Sequence, residues 1–254
     1  MNIMKSVLRS GLACLVIGLM QGAVSAAEVQ VAVAANFAGP FEKIAAEFAA
    51  ESGHKAVVAV GATGKFYAQI KNGAPFEILL AADDETPRKL VAEGDGVAGS
   101  TFTYAKGKLV LWSAKPGFVD EGGKVLTRAD IAHIAIANPK LAPYGLAAEE
   151  TLKAGKLYDD LKPKFVIGES IAQTFQFVAT GNAELGFVAM SQVLVPGKPV
   201  EGSYWAVPSN LYSPILQDAV LLKKGEANAA AQALLKFLKS DKAKAVIKSY
   251  GYDL

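Results

Sequence analysis

The sequence predicts an α/β protein of two lobes, each a mainly parallel sheet flanked by helices, with a ligand cleft between them. Three observations carry this prediction. Short apolar strands alternate with amphipathic helices from residue 29 onward, the order that right-handed crossovers turn into a parallel sheet. Two apolar segments, 107–114 and 219–223, stand before and after a self-contained middle stretch, as two crossings between lobes require. The roughly 228 residues that follow an N-terminal leader are enough for two lobes of about 110 each. The boundaries read as 1–26 leader, 27–109 first lobe, 110–213 second lobe and 214–254 return to the first.

The leader is read from Lys5 and Arg9, the apolar run Leu12–Met20 and the small-residue site Val24-Ser25-Ala26, the pattern of a cleavable secretory signal peptide. Leu12–Met20 is too short to span a bilayer. Cys14, the single cysteine, lies in this leader behind Gly11-Leu12-Ala13, a poor lipidation box. Cleavage would leave a chain with no disulfide and no thiolate metal site. No second apolar segment reaches the roughly 20 residues of a membrane span, so the expectation is a secreted protein outside the inner membrane, not inserted in it. Lys and Arg number 26 against 24 Asp and Glu. Setting Lys5 and Arg9 aside brings the mature chain near neutrality, which argues against nucleic acid or an anionic membrane as partner.

Val29, Val31 and Val33, with small residues between them, predict a strand buried on both faces. Asn36 stands at the helix N-cap position and Pro40 in the first turn, where a missing N–H costs nothing. Residues 39–51 form an amphipathic helix closed by Gly53. A strand over 56–60 leads through Gly61-Ala62-Thr63-Gly64-Lys65 to a helix over 65–72. Residues 78–81 are a strand, and Asp83-Asp84-Glu85 with Pro87 opens the helix over 87–93. The long strand 107–114 crosses to the second lobe. There, strand 133–137 leads to a helix from Pro143 to Leu152, and strand 165–168 to a helix from Ser170, whose Gln173 three residues on makes a capping box. Strand 184–189 completes that lobe, 219–223 returns, and two lysine-bearing amphipathic helices, 227–239 and 241–250, end the chain.

Four helix starts are chemically alike. Asn36, Thr63, Tyr144 and the Ser170-Ile171 pair each precede helices whose first N–H groups have no intrahelical partner and carry the positive end of the dipole, so each suits an anion. Ordinary capping explains any one of them; the case for a site rests on the set.

Other chemistry is excluded. The glycine-rich stretch at 61–65 fails as a phosphate loop, because Ala59 stands where the leading glycine belongs and Phe66 where Ser or Thr should follow Lys65. Lys65 reads as a solvated residue on the first helical turn. There is no HExxH, no GxSxG and no cluster with metal-ligand spacing. His54 and His133 read as surface or edge residues. Asp83, Asp84 and His133 leave a secreted hydrolase as a remote alternative, although carboxylates at a helix start are what the dipole favours anyway.

Several blocks then carry a resemblance: VAVAANF at 31–37, GATGKFYAQIKNGAPFEILLAAD at 61–83, FTYAKGKLVLWSAKPG at 102–117, IANPKLAPYGLAA at 136–148, GNAELGFVAMSQV at 181–193 and the ending IKSYGYDL. In this order they resemble the periplasmic molybdate-binding proteins of ABC transporters, over nearly the whole mature chain. The resemblance implies a periplasmic-binding-protein fold of type II. It further implies a monomer in the periplasm that is not an enzyme, uses no cofactor, takes molybdate or tungstate as ligand and has an inner-membrane ABC permease as partner. Carried over by position, the anion contacts fall on Asn36 and Thr63, from side chain and backbone, and on the N–H groups of Tyr144 and Ile171. Ala35 stands where a near relative has threonine and can give only its N–H. Ala189 stands where another branch has a tyrosine hydroxyl.

The expected site is built of donors alone, with no metal–protein bond. Molybdate at neutral pH is a dianion without a proton and suits such a site, whereas phosphate carries a proton and needs an acceptor. Sulfate matches molybdate in charge, so only cavity size separates them, and a sulfate or other tetrahedral-oxyanion binder is the alternative within this class.

Overall fold

The structure, a computed structural model, describes residues 26–254. The leader reading falls, but for Ala26, outside the described residues. The chain runs β1 (Glu28–Ala34), a 3-10 turn (Ala35–Phe37), α1 (Ala38–Ser52), β2 (Lys55–Gly61), α2 (Thr63–Lys71), β3 (Ile78–Leu80), α3 (Glu85–Ala92), β4 (Phe102–Gly107) and β5 (Leu109–Ser113). It continues through β6 (Ile134–Ala137), α4 (Pro143–Ala154), α5 (Tyr158–Leu161), β7 (Phe165–Gly168), α6 (Ile171–Ala179), β8 (Leu185–Ala189) and α7 (Met190–Val193). The last elements are β9 (Ser203–Ala206), β10 (Ile215–Leu221), α8 (Ala229–Leu238) and α9 (Asp241–Ser249).

These strands form two five-stranded sheets, in the orders β2-β1-β3-β10-β4 and β7-β6-β8-β5-β9. In each sheet three strands pair in parallel and the fourth in order runs against its neighbours: β10 is antiparallel to β3 and β4, β5 antiparallel to β8 and β9. This is the two-sheet α/β architecture the alternation of elements predicts. β1 is buried along most of its length because helices cover both faces of its sheet, and its valines pack with Phe37, Phe41, Ile44 and Phe48.

The crossing segments differ from the sequence expectation. The chain changes sheets at Lys108, so 107–114 is not one strand: β4 ends in the first sheet at Gly107 and β5 starts in the second at Leu109. The return is longer than 219–223, with β10 starting at Ile215. β4 and β9 have no strong apolar alternation and were not expected as strands; both are edge strands, half exposed, whose pairing is supplied by β10 and β5.

Asn36 is not the N-cap of α1. The 3-10 turn shifts the helix start so that Phe37 takes that position, with no side-chain cap bond. Gly53 ends α1 in the left-handed region, φ 72°, its N–H on the carbonyl of Ala49. Ser170 does cap α6, accepting from the N–H of Gln173, while the Gln173 side chain accepts from the N–H of Glu169. His54 is buried rather than at the surface, because its Nδ1 accepts the N–H of Ala27 beside the start of β1.

Candidate functional site

The carboxyl ends of the parallel strands of both sheets point toward the seam between them, where open α/β sheets place ligands. Four of these ends run directly into helical segments: β1 into Ala35–Phe37, β2 into α2, β6 by a short loop into α4, β7 into α6. A small cavity lies where they meet. Its wall includes Ala35, Asn36 and Thr63 from the first sheet's side and Pro143, Tyr144 and Ile171 from the second's. All five residues singled out in the sequence therefore line one cavity. They are shut in, with exposures of 7% for Ala35, 3% for Asn36, 1% for Thr63, 1% for Tyr144 and 3% for Ile171.

No Lys, Arg, His, Asp or Glu is in the wall. The polar groups on offer are neutral dipoles: N–H groups at helix starts, which have no partner within their own helices, and the Thr63 hydroxyl. That hydroxyl accepts the N–H of Ala82 at 3.0 Å, which uses an oxygen lone pair and leaves its own proton to donate. Ala82 follows β3, so the third strand fixes the orientation of a side chain on the second strand's loop.

The Asn36 side chain has a different task. Its Nδ2 donates to Gln217 Oε1 and to the Tyr252 hydroxyl, both at 2.9 Å. With both amide hydrogens engaged inside the protein, the backbone N–H is the donor Asn36 has to offer a ligand. Gln217, fully buried on β10, also accepts from the Tyr104 hydroxyl at 3.1 Å and donates through Nε2 to the Tyr144 hydroxyl at 3.0 Å. One amide on the returning strand thus holds a residue of each half of the cavity. Burial lifts the Tyr104 and Tyr144 hydroxyls well above the ordinary tyrosine range, and pushes Tyr252 up to about 12, so all three stay neutral donors and acceptors. Gly107 makes room for this arrangement: a Cβ there would lie 2.1 Å from the Tyr144 oxygen. On the second sheet's side, Gln192 Nε2 donates to the carbonyl of Ile171 at 3.1 Å while its Oε1 accepts the N–H of Ala189 at 3.0 Å, tying the α6 start to the end of β8.

The two halves are closed on one another. The N–H of Gly64 donates to the carbonyl of Leu141 at 2.9 Å, backbone to backbone across the seam, and a Cβ on Gly64 would stand 3.1 Å from the Leu141 Cα. Lys65 bridges to Glu169 at 2.9 Å, so it is not simply solvated; both side chains are about half exposed and the pair contributes little.

The candidate hydrolytic residues are not assembled. Asp83 accepts the N–H and hydroxyl of Thr86, opening α3, and Asp84 pairs with Arg88. His133 lies at the opposite, amino end of β6, exposed beside Glu184. Among the described residues no group of three His, Cys, Asp or Glu is placed to hold a metal ion, and no helix is long and apolar enough to cross a membrane. Gln217, Tyr252, Ser191 and Gln192 were not singled out by the sequence reading; the blocks at 181–193 and IKSYGYDL contain Ser191, Gln192 and Tyr252 without marking their tasks, and Gln217 lies in none of the blocks.

The family described as bacterial extracellular solute-binding protein matches residues 29–253. The molybdate-binding protein ModA of Azotobacter vinelandii is 61% identical over 237 residues, 93% of this chain and 94% of that protein. ModA of Rhodobacter capsulatus is 54% identical over 94% of this chain and 92% of its own length. Among solved structures, the Azotobacter vinelandii periplasmic molybdate-binding protein superposes with a TM-score of 0.87 at 45% identity, covering 89% of this chain and 99% of that one.

Proposed function

The chain belongs to the bacterial extracellular solute-binding protein family, and on that premise we propose that it captures molybdate, and tungstate with it, in the periplasm and delivers it to an ABC permease of the inner membrane. The observation that carries the reading is the cavity wall: helix-start N–H groups and one hydroxyl, contributed from both sides of the seam, with no charged side chain among them. A bare dianion needs donors only. In a closed, nearly dry cavity each donor acts at a lower effective dielectric than in water, so oriented dipoles suffice without a lysine or arginine.

The proposed contacts are the N–H groups of Ala35, Asn36, Thr63, Tyr144 and Ile171 and the Thr63 hydroxyl. Because they come from both halves, the ion itself joins the halves, and a permease can tell the loaded, closed form from the open one. The division into residues 27–109 with 214–254 and residues 110–213 as the two moving bodies belongs to the same proposal, and the change of sheet at Lys108 and the return at β10 support it. A membership in a family of binding proteins, with no assembled nucleophile, leaves no role for Asp83 or His133 in catalysis.

Parallel calorimetric titrations with molybdate, tungstate, sulfate and phosphate test the proposal. Molybdate and tungstate should bind with closely similar affinity, sulfate much more weakly because it is smaller, and phosphate not measurably. Equal affinity for sulfate and molybdate would overturn the assignment in favour of a general oxyanion binder.

A further inference from the structure

The carbonyl of Asn36 is gripped from both lobes at a point outside the ligand cavity. Ser191, on α7 of the second lobe, donates its hydroxyl to that carbonyl at 2.8 Å. Tyr252, third from the C-terminus, has its hydroxyl 2.8 Å from the same oxygen and 2.9 Å from Ser191 Oγ, with one proton to give to either. The Tyr252 oxygen also accepts from the Asn36 amide, so donation from Tyr252 to Ser191 closes a ring of hydrogen bonds through the three residues. Tyr252 belongs to the first lobe: its ring packs edge-on against Phe37 at 5.7 Å, and its neighbour Asp253 pairs with Lys106 of β4. Ser191 and Tyr252 are 6% and 4% exposed. The approach is close enough that Gly251, at φ 85°, has only the Met190 and Leu194 side chains of the second lobe beyond it, and a Cβ there would lie 2.9 Å from Met190 Cγ.

We infer that Ser191 and Tyr252 are positioning residues forming a clasp, which holds the lobes together around the bound oxyanion without touching it, by bonding at the carbonyl of Asn36, the residue whose own N–H faces the anion. The inference rests on the oxyanion reading of the cavity. Its physical basis is that Asn36 and Tyr252 sit on one lobe and keep their mutual bonds whatever the hinge does, whereas the Ser191 bonds exist only when the lobes meet. Opening therefore exposes or orphans the Ser191 hydroxyl and one lone pair of the Asn36 carbonyl, and the clasp adds to the barrier that the ion must overcome to leave. It also ties α7 and the C-terminal tail to the ligand loop, two segments that the cavity wall does not include.

Ser191→Ala tests the clasp. Its lost hydroxyl leaves a small change in a short helix, so the chain should fold as before. Stopped-flow release of molybdate should be faster, by up to about tenfold, the factor that one neutral hydrogen bond supplies. The molybdate-to-sulfate affinity ratio should stay unchanged, because no cavity donor is altered, and so should the melting temperature measured without added oxyanion. Small-angle scattering without added oxyanion should show a larger radius of gyration than wild type. Tyr252→Phe should speed release as well, and the double variant should show less than the product of the two effects, since the Tyr252 bond that opening breaks is the one to Ser191. A merely structural Ser191 would lower the melting temperature and leave release and scattering unmoved, and that outcome would overturn the clasp. Wild-type protein that ignores molybdate would sink the transport reading alone, since the scattering comparison still decides the clasp.

Discussion

Replacing Thr63 by valine removes one oxygen and keeps the β-branched shape, so the helix start it occupies is undisturbed while two roles of the hydroxyl are lost. The first role is internal. The Ala82 N–H donates to Thr63 Oγ1 at 3.0 Å in a place where Ala82 is 2% and Thr63 1% exposed, and without that acceptor a buried N–H is orphaned. The cost of such a group is about 1–3 kcal/mol. In a chain of this size each kcal/mol lowers the melting temperature by about 2–4 °C. The second role is toward the ligand. A hydrogen bond to a charged partner contributes about 1.5–3 kcal/mol, so affinity for molybdate should fall roughly 10- to 150-fold. Calorimetric titration and differential scanning calorimetry measure the two losses separately. Thr63→Ser keeps the oxygen and should recover most of both. Valine binding molybdate within about twofold of wild type, or serine failing as valine does, would refute the assignment of this hydroxyl as a donor to the anion.

Gly107→Ala would place a methyl 2.1 Å from the Tyr144 hydroxyl and 2.7 Å from Gln217 Nε2, at a site with no positive-φ demand of its own. Such overpacking costs about 1–3 kcal/mol, and displacing Tyr144 moves an N–H proposed to bind the anion, so molybdate affinity should drop at least about tenfold in a titration; unchanged affinity would show that Tyr144 does not need its seat beside Gly107. Burial is the main reason the Asp83 carboxyl is raised above its ordinary range, against the opposing bonds from Thr86. A carboxyl raised in the folded state favours folding while protonated, below about pH 4, and that contribution is lost as pH rises through the raised value. Asp83→Asn, which keeps an acceptor for the Thr86 N–H, should therefore match wild type in acid and become the more stable of the two toward neutral pH, as followed by melting temperature; a difference independent of pH would contradict the raised carboxyl.

The strand and helix pattern along β1, α1, β2 and α2 is legible in the sequence because each element is fixed by its own residues: valines at alternate positions, a left-handed glycine at 53, a serine and glutamine three apart at 170 and 173. For the same reason the free N–H groups of the four helix starts were readable, since an N–H without an intrahelical partner is a local property of the chain. The task of the Asn36 side chain was not. As a short polar residue after a strand it reads as a cap or a ligand donor, and its actual partners lie 181 and 216 residues away. β4 and β9 were missed because edge strands carry little pattern of their own and owe their form to the strand beside them.

What the sequence by itself determined was therefore most of the elements and the chemistry at four helix starts: N–H groups without an intrahelical partner beside small or short polar residues. Only the tertiary structure decided which ends meet, that Gln217 ties Asn36 on the first sheet's side to Tyr144 on the second's, and that the Ser191 and Tyr252 hydroxyls both reach one carbonyl. Among the described residues every buried side-chain nitrogen and oxygen has a hydrogen-bond partner. That requirement is strict once a group leaves water, but nothing local says which distant residue will meet it, and the partner is chosen only when the two sheets close.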